Sequence, residues 1–310
     1  MSIIERLQKS SKLSGVPLDE SKVFEGRELV PTSVPMINVA LSGDVNGGLS
    51  CGTTVLAGPS RHFKTSFALL IASAYLQRHD DAIILFYDSE FGSPQGYFKS
   101  FDIDPSRVLH TPITNIEELK FDLINQLTQI EKKDKVIIVI DSIGNLASKK
   151  EVDDALDEKS VADMTRAKAL KGLFRMITPH LDLKDIPLLA INHVYQSQEM
   201  FSKAIVSGGT GIMYSAHNVW IIGRRQDKVG TEIAGYHFII NIEKSRFVKE
   251  KSKIPIAVSW DGGVETYSGL LEVAMAAGWV KKPKNGWYAY YENPDDAEAT
   301  GKNVREKDTQ

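Results

Sequence analysis

The chain has 310 residues, 42% of them apolar and 25% charged, and a formal net charge of −3. This is the composition of a soluble globular protein and argues against a uniformly basic nucleic-acid coat. A single cysteine, Cys51, excludes an internal disulfide framework, the start Met1-Ser-Ile-Ile-Glu-Arg has no apolar core resembling a signal peptide, and no apolar run approaches a membrane span. A cytoplasmic protein with no membrane partner is expected.

As far as Ser14, Ile3, Ile4, Leu7 and Leu13 stand among Lys, Glu and Gln, which predicts a short amphipathic helix, too short to be stable alone. Gly15-Val-Pro17 and an extended stretch to Pro35 follow, so this arm either packs on another body or folds back on its own domain. From Met36 onward apolar strands alternate with helical patterns. The predicted strands are Thr53–Ala57, Ala82–Tyr87, Lys135–Ile140, Pro187–Asn192, Asn218–Ile222, Tyr236–Ile242 and Ile254–Ser259. Helical spacing such as Ile116, Leu119, Leu123, Leu127 and Ile130 separates the first four, which predicts an α/β sheet with a parallel centre. The later strands lack long intervening helices and predict an antiparallel edge. After Ser268 come a helix, Leu270–Ala277, and the aromatic run Trp287–Tyr291, before a polar end from Asn293 that frays. Three parts are expected: an N-terminal helix and linker, 1–35, a core, 36–268, and a small C-terminal segment, 269–310.

Four stretches carry chemistry. Gly58-Pro59-Ser60-Arg61-His62-Phe63-Lys64-Thr65 lies between an apolar strand and the helical run that starts at Ser66, the strand, loop and helix context of a phosphate cradle. Backbone N–H groups from Gly58 to Ser66 would hold phosphates, Lys64 would neutralise their oxygens, and Thr65 would ligate Mg²⁺ with a strand-end carboxylate. Asp141, ending Val136-Ile-Ile-Val-Ile-Asp141, is that carboxylate. Glu90, after Phe86-Tyr-Asp-Ser, and His193, after Leu188-Leu-Ala-Ile-Asn192, end strands at the same sheet edge, where ligands collect. One residue departs from the usual loop: Phe63 stands where Gly is customary. If the position needs φ > 0, that costs on the order of 1–2 kcal/mol.

The ordered set GPSRHFKT, YDSE, VIIVIDS and AINH, with SGGTG at 207–211 and NIEKSR at 241–246, resembles the RecA superfamily of strand-exchange recombinases. Within it, IDSIGNLASKKE, QEMFSKA and KPKNGWYA are similar to the UvsX-type recombinases of T4-like bacteriophages, which also carry Phe before the loop lysine. The resemblance implies a RecA-type P-loop ATPase core with a mostly parallel sheet and a small N-terminal helical arm used in polymerisation. It also implies a C-terminal segment cut short relative to the family. Glu90 would polarise the attacking water, and His193 would sense the γ-phosphate where RecA has Gln. Lys244 and Arg246, two residues apart on one strand face, would act on a neighbouring subunit's ATP. A solvated Glu, a strand-end His and protective edge charges remain the plainer readings of these residues.

Two loops, Ala147–Asp163 and Tyr195–Met213, would face DNA. The first is mixed in charge and by itself reads as a solvated loop. The DNA-binding candidates are Arg166, Phe201, Lys203, Gly208, Gly209 and Thr210, with the glycines permitting close approach of backbone N–H to phosphate. The expected function is a Mg²⁺- and ATP-dependent DNA-stimulated ATPase that forms filaments on single-stranded DNA and pairs it with homologous duplex. Phage single-strand-binding and mediator proteins are expected partners. The alternatives are a hexameric RecA-fold helicase and a filament or mediator protein that binds nucleotide without hydrolysing it.

Overall fold

The computed structural model describes residues 2–13, 15–21, 23, 27–157, 165–197, 204–229, 231–296 and 298–305. In chain order its helices are α1 (Ile3–Ser10), α2 (Pro35–Ser42), α3 (Lys64–Arg78), α4 (Gln95–Lys99), α5 (Ile116–Gln129), α6 (Lys149–Leu156), α7 (Thr165–Lys184), α8 (Thr210–Ser215) and α9 (Leu270–Ala276). The core strands are β1 (Gly52–Ala57), β2 (Ile83–Asp88), β3 (Val108–Pro112), β4 (Val136–Asp141), β5 (Pro187–Asn192), β8 (Asn218–Val229), β9 (Glu232–Lys244), β10 (Lys253–Ser259) and β11 (Gly263–Val264). A hairpin, β6 (Val194–Gln196) and β7 (Ala204–Val206), and a small sheet, β12 (Val280–Lys284), β13 (Trp287–Tyr290) and β14 (Val304–Arg305), complete the described strands.

The main sheet runs β11-β10-β9-β8-β1-β5-β4-β2-β3. Pairing is parallel from β3 through β8 and antiparallel from β8 through β11, the expected parallel centre with an antiparallel edge. Alternation along each strand explains why both faces are apolar. Ile137 and Val139 of β4 belong to the core under α2 and α3, while Ile138 and Ile140 belong to the opposite core under α5 and α7. Helix α5 reaches that second core through Ile116, Leu119, Leu123 and Leu127, one stripe at helical spacing, all fully buried.

All seven predicted strands exist. The two long antiparallel ones extend well beyond the predicted spans, because Arg224, Arg225, Gln226 and Asp227 of β8 pair with Gly235–Phe238 of β9 despite their polarity. Sequence periodicity missed β3, where the adjacent Leu109 and His110 are both exposed at the sheet edge, and the β6–β7 hairpin. The first DNA-facing candidate loop contains α6, capped by Ser148 and Glu151 in a reciprocal box, and is therefore not the plain loop its mixed charge suggested. In the arm, Ser2 and Glu5 cap α1 in the same way, but α1 buries no residue and leaves Ile3 and Leu7 64% and 62% exposed.

Candidate functional site

The parallel strands deliver their C-terminal ends to one edge. Ala57 lies opposite Asn192, and Asp88 opposite Asp141, so the loops after β1, β2, β4 and β5 share one mouth. The loop between β1 and α3 turns tightly there. A Cβ on Gly58 would lie 2.9 Å from the Ile222 carbonyl oxygen, so glycine is required for that approach. Phe63 has φ 61° and ψ 19°, the left-handed conformation anticipated for this position. Its ring stacks on Phe238 at 5.0 Å and meets Phe67 edge-on at 5.2 Å. Two such contacts contribute about 0.5–1.5 kcal/mol each, enough to offset the backbone strain. Arg61 also has positive φ, and its carbonyl accepts from Arg224 Nη1 at 3.2 Å. His62 Nδ1 donates to the Ser60 carbonyl at 2.8 Å. Burial holds the imidazole below its ordinary pKa.

Lys64 is buried, and its ammonium donates to the Pro59 carbonyl at 2.8 Å. Burial lowers its pKa, against the pull of Glu90 and Asp141. The Thr65 hydroxyl donates to Asp141 Oδ2 at 2.9 Å, and Ser66 shares a 2.6 Å hydrogen bond with the Tyr97 phenol. Asp141 is 3% exposed, and its Oδ1 is buried with no hydrogen-bond partner. Burial, with Glu90 and Asp88 nearby, outweighs the Thr65 hydrogen bond and pushes this carboxyl up to about 6. An orphaned buried oxygen beside a hydroxyl fits a hard divalent cation. Among the described residues no cluster of three or more His, Cys, Asp or Glu could cage a metal, so such a cation would depend on phosphate and water for its other ligands.

Glu90 presents one oxygen to three donors. Its Oε1 accepts from Ser142 Oγ at 2.7 Å, His193 Nε2 at 3.1 Å and Asn145 Nδ2 at 3.1 Å. The His193 bond, then the Ser142 bond, hold Glu90 down to about 2 against a partial burial penalty, so it is ionised at neutral pH. The turn carrying it is fixed by Asp88 Oδ1, which accepts from the N–H groups of Glu90 and Phe91. Gly144 must be glycine, because a Cβ there would meet His193 Cδ2 at 2.4 Å. Sequence reasoning singled out Glu90 and His193 but missed Asp88, Ser142, Gly144 and Asn145. Asp88 and Ser142 sit beside residues that were named; Asn145 gives no signal of its own.

Residues 4–265 match the RecA N-terminal domain, and residues 267–310 match the C-terminal domain of the recombination and repair protein of bacteriophage T4. The chain is 54% identical to the recombination and repair protein of Enterobacteria phage T4, an overlap covering 96% of this chain and 75% of that protein. It is 25% identical to the RecA protein of Streptomyces rimosus, with 90% and 77% covered, and 27% identical to that of Tropheryma whipplei, with 85% and 59% covered. The chain belongs to the RecA family.

The residues expected to serve DNA and the neighbouring subunit are placed less simply. Phe201 and Lys203 lie outside the described residues. Gly208 and Gly209 have φ 92° and 79°, and a Cβ on Gly208 would meet Leu170 Cδ1 at 2.6 Å. Gly208 is therefore held by packing on α7, while Gly209 and Thr210 are exposed. Arg166 is committed to protein acceptors: Nε to Leu146 O at 2.8 Å, Nη2 to Ile143 O and Gly144 O at 3.0 and 2.8 Å, and Nη1 to Ser207 Oγ at 3.2 Å. Lys244 ends β9, so the expected strand alternation stops there and Arg246 sits in the bend beyond. The Lys244 ammonium donates to the carbonyls of Met213, Tyr214 and Ala216 at 2.7, 3.1 and 2.8 Å, capping α8. Lys244 pairs with Val219 at the start of β8, and Val219 pairs with Val55, while the phosphate loop leaves the far end of β1. Lys244 and Arg246 therefore lie toward the opposite edge of the sheet from Lys64.

Two measurements follow from this geometry. Phe63→Gly should lose the ring contacts but relieve the backbone, and Phe63→Ala should lose the ring and keep the strain. Equilibrium denaturation should rank the parent above Gly and Gly above Ala, the last two separated by about 1 kcal/mol. For Asp141, a folded pKa of about 6 against 3.8 means that its stabilising neutral form is fully present below about pH 4. That contribution is lost as pH rises through about 6. Thermal unfolding without divalent cations should show this fall in the parent and not in Asp141→Asn, and stabilisation by Mg²⁺ with nucleotide should be confined to the parent.

Proposed function

We propose that the chain is a DNA-dependent ATPase that assembles as a helical filament on single-stranded DNA and catalyses homologous pairing and strand exchange. The observation that carries this is the gathering of Lys64, Asp141, Glu90 and His193 at one mouth, with Lys244 and Arg246 toward the opposite edge of the same sheet. RecA-family membership and the recombination and repair name of the phage relative support the same reading.

ATP would lie with its phosphates on the loop from Gly58 to Ser66, where Lys64 exchanges the Pro59 carbonyl for phosphate oxygens. Thr65 and Asp141 would hold Mg²⁺, which when bound supplies positive charge to the β- and γ-phosphate oxygens. Glu90, ionised and anchored through Oε1, keeps Oε2 to orient and polarise the attacking water. His193 touches Glu90 through Nε2, so a γ-phosphate that draws the imidazole away also changes Glu90. The Ser207 N–H donates to the His193 carbonyl at 2.9 Å, and Asn192 Nδ2 donates to Ser207 O at 2.8 Å, which ties the second loop to this site. An oriented, ionised Glu90 favours hydrolysis over a nucleotide-binding mediator.

The partners that fit are single-stranded DNA, a homologous duplex, the next subunit, and phage single-strand-binding and mediator proteins, in the host cytoplasm. Among the described residues no helix is long and apolar enough to cross a membrane. The arm's receptor is the next subunit, because α1 exposes its apolar residues rather than burying them in its own chain.

Glu90→Gln should retain ATP binding and filament formation while hydrolysis slows by roughly 10²-fold or more. Lys244→Ala and Arg246→Ala should each bind nucleotide as monomers yet lose DNA stimulation. Mixing either with Glu90→Gln should restore partial phosphate release, since some interfaces then pair an intact Glu90 with intact cations. No recovery at any mixing ratio would remove the shared site. Deleting residues 1–17 should shorten filaments seen by electron microscopy and lower binding cooperativity, with an unchanged melting temperature for the core. Undiminished cooperativity would place the arm elsewhere.

A further inference from the structure

Arg166 is the second residue of α7, where the first loop returns to the core, and Leu146 is the residue before that loop begins. The bond from Arg166 Nε to Leu146 O therefore closes the neck of the loop. The same guanidinium takes the carbonyls of Ile143 and Gly144 and the hydroxyl of Ser207, the first residue of the glycine turn in the second loop. Four of its five N–H donors are thereby directed to protein, in a planar fork that an ammonium cannot reproduce.

The carbonyls it grips bracket Asn145, which is itself exposed while Ile143 and Leu146 on either side are buried. Ile143 N–H donates to the Ile191 carbonyl at 3.0 Å, fixing this segment to β5, and Gly144 lies against the His193 ring. An exposed asparagine on so constrained a backbone has a defined reach, and its Nδ2 ends 3.1 Å from Glu90 Oε1. One guanidinium thus joins both loop necks by hydrogen bonds, and the backbone it grips on either side of Asn145 carries the connection on to the Glu90 carboxylate.

We propose that Arg166 and Asn145 are positioning residues for hydrolysis: Arg166 clamps the necks of both loops to the backbone that carries Asn145, and Asn145 holds Glu90. DNA seated on the loops then acts on the rate through this clamp, not through a direct Arg166–phosphate contact. The inference rests on the reading that Glu90 orients water and that the loops hold DNA.

The test compares Asn145→Ala, Arg166→Lys, Arg166→Gln and the Asn145→Ala/Arg166→Lys double variant in DNA-stimulated phosphate release, with salt titrations of single-stranded DNA binding. Loss of a hydrogen bond to a charged group should lower kcat roughly tenfold in Asn145→Ala and in Arg166→Lys. KM for ATP should stay within about twofold, as for loss of an interaction needed only in the transition state. The double variant should be no worse than the weaker single one, because the two residues act in series. The salt slope should match the parent in both Arg166 variants. The clamp is overturned if Arg166→Lys works at the parent rate while Arg166→Gln makes the slope shallower by about 0.7, the signature of a phosphate contact. It is equally overturned by additive losses in the double variant or by a normal kcat in Asn145→Ala. Should an Arg166 variant fail to fold, Asn145→Ala decides alone, since that residue is exposed. Glu90→Gln separates the two layers: if it is inactive while Asn145→Ala is normal, only the coupling falls, and if it hydrolyses ATP normally, the reading beneath falls too.

Discussion

A surplus of negative charge at the carboxyl edge of the sheet sets the terms for the rest of the structure. Asp88, Glu90 and Asp141 converge there, and Lys64 is the cation the loop places among them. Each carboxylate is settled by different means. Asp88 is fixed by two backbone N–H groups and by His110 at 3.1 Å, and Glu90 by three side-chain donors on one oxygen. Asp141 has a single hydroxyl, too little to offset the burial that raises its pKa. At an effective dielectric near 20, two charges about 4 Å apart interact by roughly 4 kcal/mol, so a polyphosphate could not join these groups on the strength of Lys64 alone. A divalent cation held by Asp141, Thr65 and phosphate would resolve that imbalance, and its binding would then be linked to the protonation of Asp141.

The elements that position these groups were legible in sequence where burial on both faces wrote long apolar runs. Val136–Asp141 and Pro187–Asn192 have every residue buried, and their ends carry Asp141 and the approach to His193. What could not be read is of two kinds. Strands such as β3 and the far half of β8 are held by pairing to a neighbour while their side chains stay polar or exposed, so the pattern has no period to detect. The donors on Glu90 are the second kind: Asn145 reaches it only because Arg166, Ile143 and Leu146 fix the backbone on both sides.

Phe63 shows how a local rule can be broken at tolerable cost. The left-handed position that glycine would occupy without strain carries an aromatic ring because Phe238, on β9, offers it a stacking partner. The loop is thereby joined to the antiparallel edge as well as to the parallel centre, and the strand that carries Lys244 at its end also packs under the phosphate loop. Residue type alone signalled the anomaly; tertiary contact supplies the compensation.

The two ends of α8 bring both sites into one short element. Its N-terminal side follows Ser207, which is bonded to Asn192, His193 and Arg166, and its C-terminal carbonyls are taken by Lys244. An ammonium has three N–H donors, and Met213, Tyr214 and Ala216 account for three acceptors. Lys244 cannot keep all of these and also contact a phosphate on a neighbouring chain. Engagement of a neighbouring chain by Lys244, as proposed, would therefore require that the end of α8 be released or re-capped, while the start of α8 follows the loop beside His193. On the proposed reading, donor counting alone would couple assembly through Lys244 to the nucleotide chemistry beside His193 by way of α8.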